Sequence, residues 1–382
     1  MAASLTFLIP TYNRPTRLQR CLYWLCHSTQ DSALKFKILI ADGSSLDVKK
    51  TNLKTISTSQ LNIDYIPYNE EVYLLSRIKH GLARVDTKYV HILGDDDFAL
   101  VDGIGLASKE LESDKNDNFV CCSGQYLHLY DIPISGKLSA CYFDISYQTS
   151  RARFCYSKSY LKRLIDHKTT YSIGCPSLSY SVYKTQVLAD VLSSWSDDLL
   201  YTDSERMHQV AALSKGNILY LQTPSLIRDF GGYRTYIPEP CRQAPQTYFS
   251  ANGLEKIRKY VATNLEKELG SAELANKYAN ILDSIDGTHD SSISENPSLF
   301  DMQPWNNIFY HEQVKAFYSK DYDFFWQKLQ IPARLMQILC NTYEFYYQRH
   351  CAYLAQKITQ SKSSQEKGIL SKELQYITRS SN

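Results

Sequence analysis

An α/β chain, with a mostly parallel sheet flanked by helices and a helical C-terminal region, is the fold class this sequence predicts. Three observations carry that expectation. Short apolar runs at residues 5–9, 36–41 and 89–93 suit strands buried on both faces. Stretches with helical spacing, 17–26 and 72–83, lie between them. Beyond residue 250 the pattern becomes wholly helical.

The elements follow in order. Residues 5–9 form the first strand, 17–26 the first helix, and 36–41 closes a β-α-β unit. An extended segment at 63–66 precedes the helical stretch 72–83, and 89–93 reads as a buried strand running into Gly94-Asp95-Asp96-Asp97. A helix is expected at 102–109, a polar loop at 113–118 and a strand at 119–122. Residues 124–157 read as strand-rich and irregular, with two-residue alternation at 126–130. A further α/β stretch starts at Tyr180, with a helix at 203–213, then Gly216 and a strand at 218–221. Pro238, Pro240 and Pro245 break any regular element, so residues 1–245 are read as one domain with halves 1–100 and 101–245. Residues 246–382 are read as a helical region, with helices at 254–269, 272–285, 313–318 and 333–357 and a linker at 286–297. The polar tail after Ser361 is expected to fray.

Composition narrows the function classes. Lysine and arginine nearly balance aspartate and glutamate, for a formal charge of +2, so no general nucleic-acid binder is expected and phosphate contacts should be local. Residues 1–10 carry no basic leader, their apolar run stops at Pro10, and no stretch is long enough to span a bilayer. The ten cysteines show neither zinc-site pairing nor the density of a small secreted scaffold. A cytoplasmic location with reduced thiols is the simplest reading. The 30 tyrosines suit core and interface packing first, and sugar stacking second.

Three motifs carry chemistry. Asp95-Asp96-Asp97 ends a buried strand, where alternation would point Asp95 and Asp97 at one ligand. Clustered carboxylates raise one another's pKa unless a cation neutralises them, and hard oxygen ligands suit Mg²⁺ or Mn²⁺, which would in turn grip a diphosphate. An Asp-rich solvated turn is the bland alternative, against which stands the apolar run 89–93. An EF-hand fails on spacing, because its glycine and glutamate positions fall on Leu100 and Leu106. The second motif, Pro10-Thr11-Tyr12-Asn13-Arg14, lies between the first strand and first helix. Its amides and the helix N-terminus could face a nucleotide, with Tyr12 against a base and Arg14 on a phosphate. The third, Asp42-Gly43-Ser44-Ser45, ends the second strand, and its carboxylate could accept a hydrogen bond from a pyrimidine N–H. His91, His208 and the Cys121-Cys122 pair are read as packed or surface residues.

The ordered combination of Ile9-Pro10-Thr11-Tyr12-Asn13-Arg14, Ile38-Leu39-Ile40-Ala41-Asp42-Gly43-Ser44 and Tyr89-Val90-His91-Ile92-Leu93-Gly94-Asp95-Asp96-Asp97-Phe98 resembles the GT-A glycosyltransferases of family 2 type. The resemblance spans roughly residues 5–235. It implies a Rossmann-like GT-A fold with a nucleotide-sugar half at 1–100 and an acceptor half at 101–245. It also implies a DxD motif with Mn²⁺ or Mg²⁺, and inverting transfer from a nucleotide-diphosphate sugar, UDP-type favoured. By position, Thr11, Tyr12 and Asp42 would contact the base and Asp95 the ribose. Asp96 would lie with them, Asp97 (with Asp95) would hold the metal, and Arg77 would sit near the diphosphate. Two departures stand out. Ala41 replaces a second aspartate, and the stretch Leu226-Ile227-Arg228-Asp229 lacks a metal-binding histidine, so that either Asp229 substitutes or metal binding is weaker.

Inverting transfer needs a general base. Tyr201-Thr202-Asp203-Ser204-Glu205-Arg206 resembles the family's acidic late-helix start, with Asp203 favoured over Glu205; a helix N-terminus capped by Asp203 is the local alternative. The resemblance implies a glycan or lipid-linked acceptor in surface polysaccharide biosynthesis. The C-terminal helices could cover that acceptor's cleft, pair two copies of the chain, or make peripheral membrane contact. A nucleotidyltransferase would need a glycine-rich basic loop after the first strand, and Pro10-Thr11-Tyr12-Asn13 is not one. A catalytically silent sugar-binding or assembly protein on the same fold is the other reading.

Overall fold

The computed structural model describes residues 3–30, 32, 34–116, 118–134, 137–145, 154–155, 157–170, 178–196, 199, 201–229, 251–284 and 308–378. The expected boundary at 238–245 and the linker at 286–297 lie outside them.

The N-terminal half alternates strand and helix: β1 (Leu5–Thr11), α1 (Pro15–Ser28), β2 (Phe36–Asp42), α2 (Leu46–Thr58), β3 (Ile63–Pro67), α3 (Leu74–Leu82) and β4 (Tyr89–Ile92). The four strands are parallel in the order β3-β2-β1-β4, with Leu5 opposite both Phe36 and Tyr89. Alternation sends Leu5, Phe7, Ile9, Ile38 and Ile40 to one core and Leu8, Leu39 and Ala41 to the other, so both faces must be covered. Pro15 opens α1, where its missing N–H is no loss. Leu18, Leu22 and Leu25 then turn one stripe onto the sheet, and Trp24 donates its indole N–H to the Ala99 carbonyl at 2.8 Å.

The chain continues through β5 (Phe98–Ala99), α4 (Val101–Ser113), β6 (Phe119–Ile134), β7 (Lys137–Ile145), β8 (Phe154–Cys155), α5 (Tyr160–Thr170), a 3₁₀ turn at Leu178–Tyr180, β9 (Val182–Lys184), α6 (Thr185–Leu192), α7 (Tyr201–Lys215) and β10 (Asn217–Asp229). The full order is β3-β2-β1-β4-β9-β6-β10-β5, with β7 on β6 and β8 on β10. β9 runs against β4 and β6, while β6 and β10 are parallel, so the predicted mostly parallel α/β sheet is what forms. Gly103 lets α4 lie on β10: a methyl there would fall 1.9 Å from the Pro224 carbonyl oxygen.

Among the described residues six helices follow: α8 (Ala251–Leu269), α9 (Ala272–Ser284), α10 (Ile308–Tyr318), α11 (Tyr322–Leu329), α12 (Ala333–Gln360) and α13 (Ser364–Thr378). Among the described residues they form no separate core. Ile257, Val261, Leu265, Ala275 and Ala279 join the core beneath α3, α6 and α7, while Phe325, Met336, Leu339, Tyr343, Tyr346 and Tyr347 join the core beneath α1 and α4. The tail expected to fray is instead α13, because Leu370 and Leu374, one turn apart, anchor it to that second core. Gln313 of α10 is wholly buried against β7: its amide donates to the Phe143 carbonyl at 2.8 Å and its oxygen accepts the Phe143 N–H at 2.8 Å.

His91 is buried edge-on to Phe7, and desolvation pushes its pKa down to about 4. His208 is buried with Nε2 2.9 Å from the Tyr183 hydroxyl. Both are core residues. Among the described residues, no helix is long and apolar enough to cross a membrane.

Candidate active site

The carboxyl ends of β1 and β2 are stitched into one floor. Asn13 takes a left-handed φ of 52°, which asparagine tolerates. Its N–H donates to the Ser44 hydroxyl at 2.8 Å and its side-chain oxygen accepts the Ser45 N–H at 2.9 Å. Gly43 donates its N–H to the Thr11 carbonyl at 3.1 Å. Asp42 is wholly buried, and its carboxylate accepts the Ser44 N–H at 2.7 Å, the Asn52 amide at 2.7 Å and the Tyr65 hydroxyl at 2.8 Å. Three internal donors therefore already hold the carboxylate predicted to read a base. Arg77 of α3 donates to the carbonyls of Thr11 at 2.5 Å, Ala41 at 3.3 Å and Val72 at 3.1 Å, and lies 5.6 Å from the Tyr12 ring. The residue expected near a diphosphate thus forms the support under Tyr12. Gly43 makes room for it, since a methyl there would meet the guanidinium at 2.7 Å.

Beside this floor lies the aspartate triplet, and here the strand argument needs correcting. β4 ends at Ile92, and Asp97 donates its N–H back to the Gly94 carbonyl at 3.2 Å, so residues 94–97 form a turn. Two-residue alternation does not govern them. Asp95 turns to β1, accepting the Thr11 hydroxyl at 2.7 Å and pairing with Arg14 at 2.6 Å. Asp96 pairs with Arg14 at 2.8 Å and Arg17 at 3.0 Å. Asp97 turns to the end of β10, accepting the Asp229 N–H at 3.2 Å with Arg228 at 3.9 Å. Arg14, expected on a phosphate, is here the bridge between Asp95 and Asp96.

These environments separate the three carboxyls electrostatically. Desolvation raises the Asp95 pKa, with Arg14 opposing it. Desolvation also acts on Asp96, but Arg14, Arg17, Arg20 and Arg228 together outweigh it and hold that carboxyl well below its usual range. Asp97, desolvated and next to the Asp96 charge, is pushed up to about 7 despite Arg228. Asp97 is the carboxylate least well matched by protein cations.

Arg20 was not foreseen. It is 1% exposed on α1, one turn from the buried Thr16 and one from the buried Trp24, a spacing that marks the position as inward-facing without naming its partners. Its guanidinium pairs with Asp229 at 2.5 Å and donates to the Asp96 carbonyl. Asp229, expected to replace a metal-binding histidine, therefore spends one carboxylate oxygen on Arg20.

α7 carries the predicted base region in its early turns. It packs on the 3₁₀ turn whose Tyr180 ring lies 4.6 Å from the Arg228 guanidinium. Asp203, in the first turn, is wholly buried, and Glu205 is half-buried. The Asp203 carboxyl abuts Gly253 of α8 so closely that a methyl there would come within 2.2 Å.

Among the described residues, no three histidine, cysteine, aspartate or glutamate side chains converge as a ready-made metal cage. Asp95, Asp96 and Asp229 are engaged by Arg14, Arg17 and Arg20, which leaves Asp97 as the donor best suited to a cation. Hard divalent cations commonly bind through one or two carboxylates completed by substrate phosphates and water, and this donor set fits that mode.

Residues 6–191 match the family described as Glycosyl transferase family 2. The crystal structure of S. aureus TarS residues 1–349 in complex with UDP-GlcNAc aligns with a TM-score of 0.52 at 13% identity, covering 91% of this chain and 92% of that one. The likeness supports the GT-A fold. The mannosyltransferase PcManGT from Pyrobaculum calidifontis, in complex with GDP-Man and Mn²⁺, aligns with a TM-score of 0.39 at 11% identity, covering 95% and 89%. No curated protein matches by sequence.

Proposed function

From the premise that residues 6–191 form a glycosyl transferase family 2 domain, we propose that this glycosyltransferase carries out metal-dependent, inverting transfer from a nucleotide-diphosphate sugar to a hydroxyl acceptor. The observation that carries the reading is the cluster at the carboxyl end of the sheet. Asp95, Asp96, Asp97 and Asp229 are matched by Arg14, Arg17, Arg20 and Arg228, and Asp97 is the member left short of positive charge. A diphosphate arriving there brings further negative charge to a site whose guanidiniums already face carboxylates, which favours a divalent cation entering with it.

In this reading the nucleotide base lies over Tyr12 and the floor formed by Thr11, Gly43 and Ser44, with UDP sugars the first donors to test. The ribose meets Asp95, and the diphosphate meets Arg14 and Arg228. Asp97 would hold Mn²⁺ or Mg²⁺, which would supply positive charge to the leaving diphosphate. The acceptor hydroxyl attacks the anomeric carbon from the face opposite the diphosphate, so its proton passes to a base on that side. Asp203 is the first candidate for that base and Glu205 the second, both in the early turns of α7. The family resemblance supports a glycan or lipid-linked acceptor in surface polysaccharide synthesis and a cytoplasmic site of action.

One observation favours the other reading, a silent sugar-binding protein: Asp203 is wholly buried against Gly253, where a packed carboxylate would serve as well as a catalytic one. The deciding experiment is release of nucleoside diphosphate from UDP, GDP, CDP and dTDP sugars, with Mn²⁺ or with chelator. Release that needs the metal and is lost in Asp97→Ala supports the transferase. Nucleotide-sugar binding without release from any donor, acceptor extracts included, supports the silent protein.

A further inference from the structure

We infer that Arg20 is a positioning residue for Asp97, and that the C-terminal helix α12 holds it in place, so that a region outside the family 2 match sets the geometry of the site. The inference rests on the transferase reading for its effect on rate, but not for its effect on structure.

Asp97 is held from two directions. Its preceding peptide is fixed at the Asp96 carbonyl, which accepts from one Arg20 nitrogen. Its carboxylate accepts the Asp229 N–H at 3.2 Å, and the Asp229 side chain pairs with the other Arg20 nitrogen at 2.5 Å. One planar guanidinium therefore governs both the backbone and the carboxylate orientation of Asp97. A forked donor is suited to this and a lysine ammonium is not.

The fork is gripped by aromatic rings. Phe98, the residue after Asp97, lies 4.5 Å from the Arg20 guanidinium carbon, Tyr346 4.8 Å and Tyr343 5.4 Å. Both tyrosines belong to α12, are nearly or wholly buried, and exclude water from the pair. The register of α12 on α1 is pinned nearby, where the Thr16 hydroxyl lies 2.9 Å from His350 Nδ1 and His350 stacks on Tyr346 with ring centroids 5.2 Å apart. Stability alone is a weak explanation for such a site, because apolar residues of similar volume commonly replace a buried ion pair without loss. What they cannot replace is the orientation of the Asp96 and Asp229 groups.

The test uses the full-length chain and four variants. Tyr346→Leu removes a cage ring but leaves Arg20 in place, and Arg20→Lys keeps the charge but not the fork. Tyr346→Phe keeps the ring, and Leu354→Ala weakens the same helix two turns away, where Leu354 is buried in the same core. Hydrogen exchange is followed by mass spectrometry on peptides covering 94–101 and 224–229, alongside kcat and KM for nucleotide-sugar hydrolysis. Tyr346→Leu and Arg20→Lys are expected to speed exchange in both peptides and to lower kcat by about tenfold to a hundredfold, as for a catalytic group displaced by an ångström. KM for the donor should stay within about twofold, and Tyr346→Phe should behave as wild type. Equal exchange at 94–101 in Tyr346→Leu and Leu354→Ala would overturn the inference, as would an equal loss of kcat in those two. If wild type releases no nucleoside diphosphate from any donor, acceptor extracts included, the transferase reading falls while the exchange comparison still decides whether α12 positions Asp97.

Discussion

Replacing Asp97 by asparagine should stabilise the metal-free protein, and more so as pH rises. Desolvation and the neighbouring Asp96 charge lift the Asp97 pKa from the usual 3.8 to about 7, against the opposing pull of Arg228. Between those two values the folded state binds more protons at this site than the unfolded chain, so folding stability falls as pH rises through the window and stays reduced above it. At about 1.4 kcal/mol per unit the ceiling of the effect is about 4 kcal/mol, and relaxation around the charged carboxylate lowers it. An asparagine cannot ionise and avoids the loss. For a chain of this size each kcal/mol is worth about 1 °C in Tm. The assay is thermal unfolding of wild type and Asp97→Asn in chelator at pH 5, 6, 7 and 8 and constant ionic strength. The Tm advantage of the variant should already be present at pH 5, widen to pH 7 and level off near 8. Saturating Mn²⁺ at pH 8 should then raise the wild-type Tm and leave the variant behind. A gap that is the same at every pH would refute the account of the charge at this site.

Three further outcomes follow from the packing. Gly43→Ala drives a methyl into the Arg77 guanidinium at 2.7 Å, so nucleotide affinity in calorimetry should weaken about tenfold, or about 1.4 kcal/mol; unchanged affinity would remove the floor under Tyr12 from the site. Gly103→Ala places a methyl 1.9 Å from the rigid Pro224 carbonyl, and urea unfolding should show a loss of roughly 1–3 kcal/mol; a neutral result would mean α4 can slide on the sheet. Of Asp203→Asn and Glu205→Gln, the one that removes the base should lower kcat by about a hundredfold to ten-thousandfold with little change in donor KM, while two near-normal rates would exclude both.

The parallel half of the sheet was legible because its information is local. β1, β2 and β4 are apolar runs of a few residues bounded by Pro10, Gly43 and Gly94, and each boundary delivers a motif to the same sheet end. The helix α2 escaped notice because it buries only Val48 and Asn52, too little for an apolar stripe. β6 runs to Ile134, well past the expected 119–122, because the alternation after Gly124 pairs with β7 instead of ending the strand. In the site, the identities of Asp95, Asp96 and Asp97 could be read, but not what neutralises them. Arg17 and Arg20 look like ordinary helix residues until Asp96, Asp229 and Tyr346 are brought to them from 76 or more positions away. Periodicity reports burial within one element, and it carries no record of which distant charge ends beside which.

The Gln313 side chain has a bearing on how the molecule behaves among its own copies. A primary amide offers the same donor and acceptor as a peptide group, so at Phe143 this one residue imitates the next strand of the sheet. A neighbouring chain approaching β7 there finds that main-chain pair occupied, and sheet-to-sheet growth, the usual route from an open edge to aggregates, is blunted at that position. A glutamate in its place would lose the donor to the Phe143 carbonyl and bring a buried charge, so the same substitution that costs stability would also reopen that pair to a neighbouring strand.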